Sequence, residues 1–155
     1  MPASVSVEPA CNACRQGKSY LAYFFDRITR GKPVLVPNAG DQCVTMTHAA
    51  DNAAMVAAAI GNPKAVGEAF NCATSVLCTY DELVGYCASA AGKPANIQHF
   101  NPKDFESGTT KKVGFPFRET AFFVSADKAK ELLGFSPLYD LKYAGGSTNP
   151  SSLSP

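Results

Sequence analysis

Four groups of residues carry side chains that could do chemistry. The first is the pair Cys11 and Cys14, whose Cys-x-x-Cys spacing suits half a zinc site or a redox pair. A structural zinc needs four ligands, commonly from two such pairs, and no second pair exists. The two histidines, His48 and His99, sit in unrelated segments. A thioredoxin-type role needs the pair at a helix N-terminus after a strand, and the Pro- and Ser-containing flank does not supply one. No metal is expected, and the two thiols read as incidental, with a disulfide or a metal as the alternatives.

His48 and Asp51 form the second group. A His-x-x-Asp arrangement could do acid–base work. At the start of a helix it serves equally to fix the entering turn, and this structural role is the preferred reading. His99, the third, lies in a strand-like stretch beside Phe100 and reads as a satisfied core or rim histidine. The fourth group is the richest. Lys111, Lys112 and Arg118 are interleaved with Phe115, Phe117, Phe122 and Phe123. Cations hold phosphates and aromatic faces stack on bases, so this stretch is the candidate contact for RNA or a protein partner. A solvated basic loop above buried phenylalanines would look the same.

These groups need a scaffold, and 155 residues with 46% hydrophobic content suffice for one modest domain. Charged residues are only 17%, which hints at a surface partly covered by a partner. The formal net charge of +1 marks no global nucleic-acid binder, so such a role has to be local. No apolar run reaches the length of a membrane span. The first ten residues show neither a signal-peptide core nor an Arg-rich pattern, which fits a chain that stays where it is made, or a mature or partial one. Cys72, Cys78 and Cys87 sit among apolar residues and read as small buried hydrophobes in a reducing compartment.

Residues 1–16 have no periodicity and read as an extended arm. Gly17 to Arg30 reads as a helix with Leu21, Phe24, Phe25 and Ile28 on one face, ended by Gly31 and Pro33. Val34 to Val36 and Cys43 to Thr47 are extended pieces about the turn at Asn38–Gly40. Asp51 to Ile60 is an Ala-rich helix with Asp51 as its cap, and Ala69 to Ala73 a strand. Thr79 and Glu82 form a capping box for a helix that stops at Gly92, and Asn96 to Phe100 is strand-like. Ser125 caps a last helix that ends at Gly134. The tail 142–155 is expected to be disordered or ordered by a partner. The whole is an α/β lobe over residues 17–141, short strands with packed helices.

The order of these segments resembles the C-terminal, substrate-binding lobe of NAD-dependent epimerase-like proteins, the extended short-chain dehydrogenases. Phe24 to Pro33, the turn Asn38–Gln42, His48-x-x-Asp51, the pair Phe70-Asn71 and the stretch Ser125 to Phe135 are each similar to a piece of that lobe. Within the class, Lys111-Lys112-Val113-Gly114-Phe115-Pro116-Phe117-Arg118 and Gln98-His99-Phe100-Asn101-Pro102-Lys103 are similar to stretches of the chloroplast stem-loop-binding, RNA-binding proteins.

The resemblance implies a plastid setting, with RNA, ribosomes and the transcription machinery as associates. It also implies what is absent. The cofactor half of the class needs a glycine-rich turn that presents N–H groups to a pyrophosphate, and no Gly-x-x-Gly-x-x-Gly occurs. No tyrosine is followed by lysine four residues on, so the Tyr-x-x-x-Lys pair is missing too. The expectation is therefore a truncated lobe with no complete Rossmann domain, no cofactor and no catalytic residue. His48, Asp51 and Gly134 would be structural. The favoured function is a non-catalytic accessory subunit, soluble or peripherally bound, docked on a larger plastid assembly: photosynthetic complex, ribosome or RNA polymerase. The alternatives are a stem-loop RNA-binding protein or ribonuclease, and a fragment of a sugar-nucleotide epimerase.

Overall fold

The computed structural model describes residues 6–9, 20–74, 76–104, 118 and 120–139. Helix α1, Tyr20–Thr29, forms because its apolar positions recur at helical spacing: Phe24 and Ile28 are buried and Leu21 and Phe25 pack half-buried beside them. Gly31 ends it in the left-handed region at φ 65°. There Lys32 N–H donates to the Arg27 carbonyl at 2.8 Å and Gly31 N–H to that of Ile28 at 3.1 Å, the Schellman pattern. The chain turns at once into β2, Val34–Pro37.

Helix α3, Tyr80–Ala91, packs against α1 and starts at the capping box foreseen in the sequence. Glu82 N–H donates to Thr79 Oγ1 at 3.2 Å, and Thr79 N–H donates back to Glu82 Oε2 at 2.8 Å. Gly92 ends it at φ 62°. Lys93 Nζ then reaches the Thr29 carbonyl at 2.8 Å, tying the end of α3 to the end of α1. Between them lies the first core, built on Phe24, Ile28, Val34, Val36, Tyr80, Leu83, Val84 and Cys87.

A second core joins α2 (Ala49–Ala59), β4 (Ala69–Cys72) and the last helix, α4 (Asp127–Leu133). Met55, Ala59, Ala65, Phe70, Cys72, Ala129 and Phe135 fill it. The two cores are linked where Thr74 N–H donates to the Met46 carbonyl at 3.0 Å and Thr47 Oγ1 to that of Cys72 at 2.6 Å.

Among the described residues the strands form three two-stranded sheets. β2 runs parallel to β6 (Ile97–Phe100), with Val36 opposite His99. β3 (Cys43–Val44) runs antiparallel to β5 (Cys78–Thr79). β1, Ser6–Pro9, runs parallel to β4 with Ser6 opposite Ala69. Part of the arm is thus a strand paired within the chain. The fold is mixed α/β with short strands.

Two readings of the sequence need correction. The cap of α2 is His48, whose Nδ1 accepts from Ala50 N–H at 3.2 Å, and not Asp51, which lies inside the first turn with its carboxylate buried. The described part of α1 begins at Tyr20, and residues 17–19 lie outside the described residues. Ser125 stands one residue before Ala126, the residue at the cap position of α4, although its Oγ still accepts Asp127 N–H at 3.0 Å. The tail 142–155 lies outside the described residues.

Candidate nucleic-acid interface

Of the basic and aromatic group, Arg118, Phe122 and Phe123 are described, while Lys111, Lys112, Phe115 and Phe117 lie outside the described residues. Phe122 is locked beside β3 by two backbone bonds. Its N–H donates to the Cys43 carbonyl at 2.9 Å, and its carbonyl accepts from Thr45 N–H at 3.3 Å. An extended backbone sends successive side chains to opposite sides. Phe122 is accordingly half-buried, and Phe123 stands out at 60% exposure. The two phenylalanines, neighbours in sequence, do not share a surface.

Arg118 is exposed and anchored by its backbone. Its carbonyl accepts from the buried Tyr80 hydroxyl at 2.6 Å. Its guanidinium lies 4.5 Å from the centre of the Phe122 ring, a cation–π contact that holds the charge at the surface without neutralising it. The result is an exposed cation and a separately exposed flat ring on one short segment.

Two titratable clusters lie elsewhere. The Asp51 carboxylate, 1% exposed, accepts the N–H groups of Leu138 at 2.9 Å and Tyr139 at 3.3 Å. The Tyr139 ring stacks on His48 with centroids 4.0 Å apart. His48 and Asp51 thus hold the segment after α4 onto the start of α2, a structural arrangement with both groups engaged. Gly134 ends α4 at φ 66° and turns the chain toward this clamp. Asp51 also adds its charge to burial in pushing the Cys72 thiol up to about 11, burial being the larger cause. Burial alone raises that of Cys87 to about 11.

The second cluster was not foreseen. His99 Nε2 lies 3.0 Å from both oxygens of Asp81, with the two side chains 43% and 37% exposed. The pair rests on Gly40, whose carbonyl accepts Asp81 N–H at 3.1 Å. A Cβ at Gly40 would come within 2.2 Å of Asp81 Oδ1 and 2.7 Å of His99 Nε2. Asp81 and His99 are 18 residues apart on a helix and a strand, so no spacing in the sequence announces them. Among the described residues no group of three metal-ligating side chains converges. Among the described residues Cys72, Cys78 and Cys87 are buried thiols, Cys78 donating to the Val44 carbonyl at 3.7 Å, Cys43 is half-buried, and Cys11 and Cys14 lie outside the described residues.

No protein-family model matches the chain. It is 43% identical over 120 residues to the chloroplast stem-loop binding protein of 41 kDa b of Arabidopsis thaliana, an alignment of 77% of this chain and 31% of that protein. Among solved structures it superposes on an epimerase of Methanothermobacter thermautotrophicus with a TM-score of 0.65 at 18% identity, covering 90% of this chain and 38% of that one. For the UDP-glucose 4-epimerase of Thermotoga maritima the TM-score is 0.63 at 18% identity, with 91% and 41% covered. For the dTDP-glucose 4,6-dehydratase of Bacillus anthracis it is 0.61 at 16% identity, with 81% and 36% covered. At these identities the structures show fold alone. The chain spans about a third of the curated relative and about two-fifths of the solved ones. By sequence it is a relative of the chloroplast stem-loop-binding proteins, built on part of the extended short-chain dehydrogenase fold of the epimerases.

Proposed function

We propose that this chain is a plastid binding protein without catalysis of its own, and that it takes RNA through the segment 111–123. The observation that carries the reading is the presentation of Arg118 and Phe123. An exposed cation and an exposed ring lie on the same short segment, in a chain whose curated relative is named for binding stem-loops and is chloroplastic. Cations gripping phosphates and rings stacking on bases supply affinity for single-stranded or looped RNA. The lack of the glycine-rich turn and of Tyr-x-x-x-Lys supports the non-catalytic part. The test is fluorescence anisotropy of a labelled stem-loop RNA titrated with the 155-residue chain at several salt concentrations. Saturable binding that weakens with salt is expected; no binding at any salt overturns the RNA reading.

A second reading is favoured by a different observation. Helix α2 buries Asp51, Met55 and Ala59 but leaves Val56 44% and Ile60 76% exposed, with Ala53, Ala54 and Ala57 beside them. An apolar helix face of this kind fits docking on a larger plastid assembly, be it photosynthetic complex, ribosome or RNA polymerase. α1 offers no such face, since Phe24 and Ile28 are covered by α3 and β2. Native mass measurement of the chain recovered from plastids tests the docking. Recovery as a monomer under conditions that keep such assemblies whole counts against it.

A further inference from the structure

A cavity of about 470 Å³ opens between the end of β3, the segment after β4 and the start of α4. Its walls include Thr45, Thr74, Leu77, Phe123, Lys130 and Phe135. The size falls in the range of small-ligand pockets, roughly 300 to 1,000 Å³. Three features of the lining are unusual together. Thr45 is 1% exposed, and its Oγ1 is buried with no hydrogen-bond partner among the described residues. An unmet hydroxyl of this kind is costly and asks for a partner. Phe123 and Leu77 stand at the mouth, 60% and 49% exposed. Lys130 is exposed and has no ion pair among the described residues, whereas the Asp127 carboxylate beside it already accepts the Ser125 hydroxyl.

From this lining we infer that the cavity receives the base of one unpaired RNA nucleotide. The base stacks on Phe123, its polar edge meets Thr45 Oγ1, and its phosphate lies toward Lys130. Rival ligand chemistries each leave a part of the lining idle. A purely aliphatic ligand does not satisfy Thr45. A free phosphate leaves Leu77 and Phe123 wet. A base held in a duplex cannot leave its stack without cost, so the site selects loops, bulges and ends. The inference rests on the RNA reading above and adds to it the place where a single base is read.

The chain has no tryptophan, so Phe123→Trp introduces a single fluorescent reporter at the mouth of the cavity. This variant is titrated with a hairpin RNA bearing an unpaired loop, and with a blunt duplex of equal length. The expected result is quenching by the hairpin and little or none by the duplex. In parallel, the anisotropy titration is repeated with Thr45→Val, which keeps the shape and removes the hydroxyl. Loss of one hydrogen bond is expected to weaken hairpin binding by roughly 3- to 10-fold while leaving the chain folded. Phe123→Ala is expected to weaken it about 10-fold or more through lost stacking. If wild type binds no RNA, the RNA reading and this inference fall together. If wild type binds the hairpin but Thr45→Val binds equally and the Trp reporter does not respond, the base site is overturned while the RNA reading stands. Should Phe123→Ala fail to fold, Thr45→Val and the reporter still decide.

Discussion

The Asp51 carboxylate, buried in the first turn of α2, lies 2.9 Å from the backbone nitrogen of Leu138, 87 residues further along the chain. The same group accepts Tyr139 N–H, so one side chain satisfies two N–H groups of the segment that follows α4. Removing it leaves both donors short of a partner and frees the Tyr139 ring from His48. Asp51→Ala is therefore expected to destabilise the chain by about 2 to 4 kcal/mol, read by urea unfolding. A loss below about 0.5 kcal/mol would show that the clamp contributes nothing to the fold.

Gly40 supports a second long-range pair, Asp81 with His99. Its φ of 75° favours glycine, and a methyl there would also collide with the Asp81 carboxylate. Gly67 shares the conformation, at φ 78°, but faces open space. Gly67→Ala should cost only the left-handed backbone penalty, roughly 1 to 2 kcal/mol. Gly40→Ala should cost clearly more, because the Asp81–His99 pair must also move. Equal midpoints in urea for the two variants would show that the pair yields freely.

What the sequence could and could not announce follows from the range of the interactions. Thr79, Glu82 and Gly92 act within one helix, and their bonds close over three or four residues, so α3 is legible from the spacing alone. Phe24 and Ile28 declare the buried face of α1 by the same local logic. Asp51 carries no such signal. A carboxylate at a helix start reads as a cap, and only the folded chain brings Leu138 to it. Asp81 and His99 were hidden for the same reason. β1 is marked only by the short alternation Ser4-Val5-Ser6-Val7-Glu8, and its parallel partner β4 lies 63 positions away, as Ala69 does from Ser6, so the pairing is not legible locally. Phe122 and Phe123 looked like one patch because sequence proximity does not show which side of an extended backbone each side chain takes.

The buried thiols set a pH dependence whose sign is fixed. Burial pushes the Cys72 and Cys87 thiols up to about 11, from the ordinary value of 9.0. Above pH 9 the unfolded chain loses these protons while the folded chain keeps them, so stability is complete below pH 9 and falls between 9 and 11. Urea midpoints measured across that window should drop in wild type and drop less in a Cys72→Ala, Cys87→Ala variant. Below pH 9 the iodoacetamide reaction of both thiols should be slow, and slower than that of half-buried Cys43. Parallel pH curves for wild type and variant would refute the assignment.

The non-catalytic reading predicts that neither NAD nor NADP binds. No glycine-rich turn is present to give a pyrophosphate its backbone N–H groups. Titration calorimetry with each dinucleotide is expected to show no binding heat. Micromolar affinity for either one would return the chain to the cofactor-dependent enzymes.

The last prediction concerns the contribution of the basic segment to RNA affinity. Phosphate contacts release counterions, so each one adds to the slope of log affinity against log salt, by about 0.7 for single-stranded and about 0.9 for duplex nucleic acid. Replacing Lys111, Lys112 and Arg118 by Ala removes three candidate cations. The salt dependence should then flatten by up to about 2 to 2.7, and affinity at low salt should fall far more than affinity at high salt. Base stacking responds differently, because it carries no net charge. Phe123→Ala should lower affinity by a similar factor at every salt concentration and leave the slope unchanged. The two variants therefore separate electrostatic grip from base contact within one set of anisotropy titrations. Arg118 has a further signature, since its guanidinium rests on Phe122. Arg118→Lys keeps the charge and loses the planar stack, so it should retain the slope and lose part of the affinity. If the triple variant binds hairpin RNA with the wild-type slope, segment 111–118 does not touch phosphate, and the cations that do so lie elsewhere on the chain.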